Sequence, residues 1–190
     1  MIDLHPAAAR MTDLLTAVRD DELGGPTPSP EMCVGDLVDH VGTFARVFQA
    51  VAAKDLRHAA RPGLPSADNL EPGWRDRIAA DLARLADAWD DPAAWTGETS
   101  AGGLPLTGDV AGLVALDELV VHGWDLAVST GRDYQPAEAE VRAAAAWIET
   151  FDPPRDGTLF GPVVPVGDDA IELDRLLALA GRDPRWRPPT

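Results

Sequence analysis

The chain has 190 residues with a formal net charge of −16, and these totals exclude several classes of protein. Its length suits one domain, and 45% hydrophobic residues can form a real core. So acidic a surface repels phosphates, so we expect neither nucleic acid nor anionic membrane as a partner. No long uncharged apolar run and no secretory leader pattern is present, which predicts a cytoplasmic protein. The single cysteine, Cys33, excludes an internal disulfide and a cysteine-rich zinc site.

Apolar residues at helical spacing predict four long helices. The predicted ranges, in chain order, are 4–20, 34–54, 71–91 and 109–130. Pro72 suits the first position of the third helix, because a backbone N–H at that position makes no hydrogen bond within the helix and proline lacks one. Apolar residues cover most of the circumference of the fourth helix, so we expect that helix to be the most buried. Four long helices joined by short or medium loops predict an all-α protein built as an antiparallel four-helix bundle.

The segments between these helices carry loop and turn signals. Residues 58–70 are rich in proline, glycine and serine and are predicted to form a loop. Within 96–106, the pair Gly102-Gly103 suits the turn of a short hairpin. A weaker alternation over 158–166 suggests one further strand.

Shorter helices are predicted after the bundle. Pro136 opens an alanine-rich helix over 136–150, and a second short helix is expected over 171–180. The sequence thus predicts a bundle over 1–135, with 136–190 forming a helical extension that packs on it within a single domain.

Three side chains on the two most apolar helices can bind a metal ion. Glu118 and His122 are four residues apart, so they lie one turn apart on the same face of the fourth helix. A carboxylate on a buried face is costly unless it is paired or bound to a metal, and an imidazole offers a second ligand. His40 on the second helix supplies a third, because bundle cores often build metal sites from facing helices. Three protein ligands leave an open position for water or substrate.

The same three residues allow other interpretations. A glutamate and a histidine at this spacing commonly form only a hydrogen-bonded pair, and a lone helix histidine usually has a structural role. Three hypotheses therefore stay open: a metal-dependent enzyme, a non-enzymatic metal-binding or partner-binding module that uses the same ligands, and a buried hydrogen-bond network without metal.

Neighbouring residues can support the ligands. Asp36 lies one turn before His40 and Asp125 three residues after His122, so either can orient an imidazole from behind, although a solvated acid is the commoner role. Cys33 lies near the start of the second helix, where the helix dipole favours a thiolate. Without a neighbouring basic residue in sequence, an incidental thiol is the simpler expectation.

Several motifs resemble those of the DinB-like metal-binding proteins, in particular the metal-binding domain of mycothiol-dependent maleylpyruvate isomerases and its single-domain relatives. The stretch Leu116 to Ala127, with Glu118 and His122, carries the most specific part of the likeness. The other matching stretches are Thr130-Gly131, Thr27-Pro28-Ser29, residues 36–41, Phe160-Gly161-Pro162 and residues 181–186.

The resemblance implies a four-helix bundle that binds a divalent metal, zinc or nickel, through His40, Glu118 and His122. It also implies mycothiol as a cofactor and a metal-dependent thiol S-transferase that joins this small-molecule thiol to an electrophilic substrate. Ser29 and Met32 stand where the family often has cysteine and tryptophan, which leaves the ligands intact but changes the pocket rim.

The resemblance also limits the expected activity. The isomerase has a second domain that contributes to its reaction, whereas only about 60 residues follow the fourth helix of this chain. We therefore expect that this chain does not isomerise maleylpyruvate. A monomer or a homodimer is expected.

Overall fold

The computed structural model describes residues 1–59, 63–150, 155 and 160–189, and these residues are mainly helical. The helices in the described part are His5–Ala17 (α1), Val34–Ala52 (α2), Trp74–Ala88 (α3), Gly108–Ser129 (α4), Glu138–Thr150 (α5) and Glu172–Leu179 (α6). Each matches one predicted helix to within a few residues at either end. The predicted all-α class is confirmed.

The first four helices form the bundle. Helices α1 and α2 each pack against both α3 and α4, so that each of the four has two neighbours within the bundle. Helix α5 packs against α4 and α6. The largest side chains that are almost fully buried are Leu4, Met11, Leu15, Leu37, Leu82, Leu85, Leu116, Leu119, Leu126, Ile148, Leu176 and Leu177. Helix α4 buries residues around nearly its whole circumference, as its apolar sequence predicts.

Backbone conformation sets the helix ends more sharply than the apolar pattern does. Helix α1 ends before Val18, which is extended, and Asp20–Glu22 then forms a separate 3-10 turn. The prediction that Pro72 opens the third helix is wrong. Gly73 has a φ of 78°, a left-handed conformation that no α-helix continues through, so α3 begins at Trp74.

The predicted hairpin is confirmed. Strands Glu98–Ala101 (β1) and Leu104–Thr107 (β2) pair antiparallel, with Ala101 opposite Leu104. The two turn residues, Gly102 and Gly103, have φ values of 57° and 85°. Both turn positions need positive φ in the tight hairpin whose twist matches that of its strands, and glycine adopts it without a steric penalty.

Two predicted segments fall partly on residues that the structure does not describe. In the predicted loop, 60–62 lie outside the described residues, and Ala67–Asn69 forms a 3-10 turn. In the segment 158–166, residues 158–159 lie outside, and 160–166 form no strand, so the prediction is wrong there. Within the described ranges, no helix combines the length and apolarity needed to cross a membrane.

Candidate metal centre

The contact between α2 and α4 brings the three predicted ligands together. His40 lies on α2, and Glu118 and His122 lie one turn apart on α4. The Nε2 atom of His40 lies 3.1 Å from Oε2 of Glu118, and the Nε2 atom of His122 lies 3.2 Å from the same oxygen. The three candidate ligand atoms all lie within 4.8 Å of one another. Residues 78 positions apart in sequence therefore converge on one point.

The arrangement fits a divalent ion. A tetrahedral ion with bonds of about 2.0–2.2 Å holds its ligand atoms about 3.3–3.6 Å apart, slightly more than the hydrogen-bonded spacings seen here. Two imidazoles and one carboxylate suit zinc and other first-row transition metals. The side chains of His40 and Glu118 are 29% and 26% exposed, against 11% for His122. The site is therefore open on one side, where a further ligand can approach.

Glu118 and His122 hold each other in their charged forms. Burial raises the pKa of Glu118, but hydrogen bonds from His122 and His40 outweigh it and hold that pKa below its ordinary range. Burial lowers the pKa of His122, but the contacts with Asp125 and Glu118 outweigh it and raise the pKa to about 9. Since a histidine must lose a proton before its Nε2 binds a metal, an ion competes with a proton at this point.

Asp125 contacts the far side of one ligand. Its Oδ2 lies 3.0 Å from Nδ1 of His122, and the residue is 1% exposed, so the solvated role is wrong for this acid. A proton on Nδ1 that faces a carboxylate leaves the Nε2 lone pair free to face the ligand cluster. Burial raises the pKa of Asp125, but the guanidinium of Arg182 outweighs it and the pKa is lowered.

The carboxylate of Asp36 hydrogen-bonds to backbone groups, whereas its spacing in sequence suggested a contact with His40. It accepts hydrogen bonds from the backbone N–H of Cys33 at 2.9 Å and of Ala67 at 2.8 Å. The first bond gives a partner to a backbone N–H at the start of α2, and the second connects α2 to the turn at Ala67–Asn69. The described structure shows no hydrogen bond between Asp36 and His40. Burial raises the pKa of the Cys33 thiol, so the dipole does not produce a thiolate there.

Sequence reasoning missed two side chains next to the ligands. The Phe44 ring lies edge-on to His40, with ring centroids 5.7 Å apart, and near-parallel to His122 at 6.5 Å. Its place one turn after His40, on the apolar stripe of α2, was the available signal. Asp117 is 5% exposed, and its Oδ1 is buried without a hydrogen-bond partner in the described structure. Burial, with Glu118 beside it, raises the pKa of Asp117 to about 8.

A four-helix bundle with two histidines and a glutamate converging between α2 and α4 defines a candidate metalloprotein. Residues 4–127 match the family model of the mycothiol maleylpyruvate isomerase N-terminal domain. The chain belongs to this family.

Two further comparisons agree with that assignment. An uncharacterised protein found in two strains of Mycobacterium tuberculosis, CDC 1551 and H37Rv, is 35% identical over 181 residues, which is 90% of this chain and 91% of the relative. Crystal structures of the mycothiol-dependent maleylpyruvate isomerase and of a histidine-to-alanine mutant each superpose with a TM-score of 0.58 at 19% identity. That match covers 76% of this chain but 65% of the isomerase, so it extends to the fold of the shared part only.

Proposed function

We propose that this protein binds a divalent metal ion through His40, Glu118 and His122 and uses it to bind a low-molecular-weight thiol of the mycothiol type. The observation that carries the proposal is the convergence of three nitrogen and oxygen donors on one point with an exposed side. Membership in the mycothiol maleylpyruvate isomerase N-terminal family supports the choice of thiol.

We assign each residue at the site a distinct role in this function. A bound zinc-like ion supplies one chemical effect, which is to lower the pKa of a coordinated thiol so that sulfur is nucleophilic at neutral pH. His40, Glu118 and His122 hold the ion, and Asp125 keeps the proton of His122 on Nδ1. The ring of Phe44 packs beside both imidazoles and supplies an apolar neighbour to them.

The reaction we propose is attachment of the whole thiol, through its sulfur, to an electrophilic carbon that carries a leaving group. A carbon–sulfur bond forms, the leaving group departs with its electron pair, and the thiol proton passes to solvent. Maleylpyruvate isomerisation itself is not part of the proposal, because the match to the isomerase covers 65% of that enzyme.

Metal binding is tested first, by elemental analysis of the purified protein and by calorimetric titration of the chelator-treated protein with zinc. We expect one ion per chain, and at least about a 100-fold weaker affinity in His122→Ala, because two remaining ligands hold an ion poorly. His58→Ala is the matched control, since His58 is exposed and, within the described ranges, Asp55 is the acid that it contacts. Stoichiometric metal in dialysed His122→Ala would show that the site is wrongly assigned.

Thiol binding is tested next, by titration of the metal-loaded and metal-free proteins with mycothiol. We expect the protein to bind the thiol only when metal is present, and we expect Glu118→Gln to lose most of that binding. A second assay then follows conjugation of the thiol to an electrophilic dye. If the protein binds metal but titration with millimolar mycothiol gives no heat of binding, the alternative of a non-enzymatic metal-binding module is favoured. Equal thiol affinity with and without metal would contradict the proposed role of the ion.

A further inference from the structure

Arg182, from the segment after α6, is buried against the candidate metal centre. Its Nη2 lies 3.0 Å from Oδ2 of Asp125, and its Nε lies 3.4 Å from Oδ1 of the same carboxylate. Two N–H groups therefore face the two oxygens of one acid, the geometry in which arginine holds a carboxylate most firmly. The side chain of Arg182 is 12% exposed and that of Asp125 is 1% exposed, so water screens this pair little.

The same guanidinium joins three parts of the chain. Besides Asp125 on α4, its Nη2 lies 3.3 Å from Oγ of Ser29 in the loop before α2, and its Nη1 donates to the carbonyl of Ala180 at 2.8 Å. Arg182 thus lies between the tail, the loop before α2 and the helix that carries two candidate ligands.

The turn that ends α6 places the side chain of Arg182 against Asp125. The N–H of Arg182 donates to the carbonyl of Leu177 at 2.8 Å, and the N–H of Gly181 donates to Ala178 at 3.1 Å. This pair of bonds is the Schellman motif, which needs a left-handed residue, and Gly181 has a φ of 79°. A Cβ on Gly181 would also lie 2.9 Å from the backbone of Gly161, so only glycine fits the turn.

We propose that Arg182 is a positioning residue that acts on the metal centre through Asp125. The guanidinium fixes the plane of the Asp125 carboxylate, and Oδ2 of that carboxylate accepts the Nδ1 proton of His122 at 3.0 Å. His122 is thereby held in the orientation that turns Nε2 toward Glu118. The consequence for metal affinity rests on the proposed function, whereas the orientation of His122 does not.

A double-mutant cycle tests whether Arg182 acts through Asp125. Groups that orient a ligating imidazole typically change metal affinity by about 10- to 100-fold. We expect Arg182→Met to weaken zinc binding by about 10-fold and Arg182→Lys to weaken it less, because lysine keeps the charge but not the paired donors. In the Asp125→Asn background, Arg182→Met should have no further effect. Additive losses would overturn the inference.

A second measurement uses the metal-free protein, so that it stands apart from the proposed function. In isotope-labelled protein, NMR should detect a proton on Nδ1 of His122 that exchanges slowly with solvent, and this signal should disappear in Arg182→Met and in Asp125→Asn. Its persistence in Arg182→Met would overturn the inference whatever the metal affinity. Its loss in a protein that binds no zinc would support the inference while contradicting the proposed function.

Arg185→Met is the matched control for both measurements. Arg185 belongs to the same tail, but its side chain is 85% exposed, and its ion-pair partner among the residues that the structure describes is Asp183. We expect unchanged zinc affinity and an unchanged Nδ1 proton. Thermal unfolding of every variant, with measurements made well below each transition, separates loss of positioning from loss of folding.

Discussion

Two carboxylates in the same bundle, Asp81 on α3 and Glu118 on α4, have contrasting partners. The side chain of Asp81 is 7% exposed and contacts Arg46 at 3.3 Å and Arg84 at 2.5 Å. The side chain of Glu118 is 26% exposed, and its two basic partners within the described part of the chain are histidines. Burial makes the charged form of both carboxylates costly, and basic side chains offset that cost. The basic partners are arginines at Asp81 and histidines at Glu118.

The difference between arginine and histidine decides what each cluster can do. Arginine stays protonated at any accessible pH and has no lone pair for a metal, so the Asp81 cluster is a completed ion pair. A histidine can release a ring proton and then offers a nitrogen ligand, so the Glu118 cluster can exchange a proton for a metal ion. Carboxylate burial alone therefore does not distinguish a structural pair from a ligand site, but the type of basic partner does.

The largest expected effect is the response of stability to metal. Zinc that binds only the folded state should raise the free energy of unfolding by about 4 kcal/mol at 1,000 times its dissociation constant. Thermal unfolding with excess zinc and with chelator measures this gain. We expect it in the wild type and in Asp81→Asn but not in Glu118→Gln. An equal gain in Glu118→Gln would mean that the ion binds elsewhere, for example at the exposed acids around His5.

A smaller effect is expected at the other carboxylate. Asp81→Asn removes the charge that faces two arginines, and hydrogen bonds to charged groups contribute about 1.5–3 kcal/mol each in favourable cases. Because both arginines are about half exposed and regain water, we expect a net loss of about 1 kcal/mol, measured by chemical denaturation. Zinc affinity should stay unchanged. A loss of zinc affinity in Asp81→Asn would contradict the separation of the two clusters.

The sequence predicted the Glu118 cluster better than the Asp81 cluster for a physical reason. A four-residue spacing on an apolar helix places two side chains on one face regardless of the rest of the fold, so Glu118 and His122 could be paired directly. His40 could be added because helices of a bundle face one another. By contrast, Arg46 and Arg84 come from α2 and α3, and many exposed acids could equally have been their partners.

The parts that sequence could not supply depend on long-range geometry. Helix existence followed from apolar periodicity, whereas the start of α3 depends on the backbone of Gly73. Asp125 and Asp36 each lie within about one helical turn of a candidate ligand histidine, yet Asp125 hydrogen-bonds to its histidine whereas Asp36 accepts from the backbone of Cys33. Arg182 lies 57 residues beyond Asp125, and its burial depends on a turn that periodicity does not encode.

The smallest expected effect extends the comparison to Glu22, an arginine-paired acid in the 3-10 turn after α1. Arg132 contacts both of its carboxylate oxygens, at 3.2 and 3.1 Å, and the backbone N–H of Arg19 donates to Oε2 at 2.7 Å. Burial raises the pKa of Glu22, but these hydrogen bonds outweigh it and the pKa is lowered. We expect Glu22→Gln to reduce the free energy of unfolding by about 0.5 kcal/mol at pH 7, measured by urea denaturation.

The sign of the pH dependence separates this ion pair from a packing effect. A carboxyl whose pKa is lower in the folded state adds stability above its unfolded pKa of about 4.3, and that stability is lost as the pH falls through the folded value. The difference between wild type and Glu22→Gln should therefore shrink in acid. Asp21→Asn, beside it but 74% exposed, should change little at any pH. A difference that is constant or grows in acid would mean that Glu22 acts through shape rather than charge.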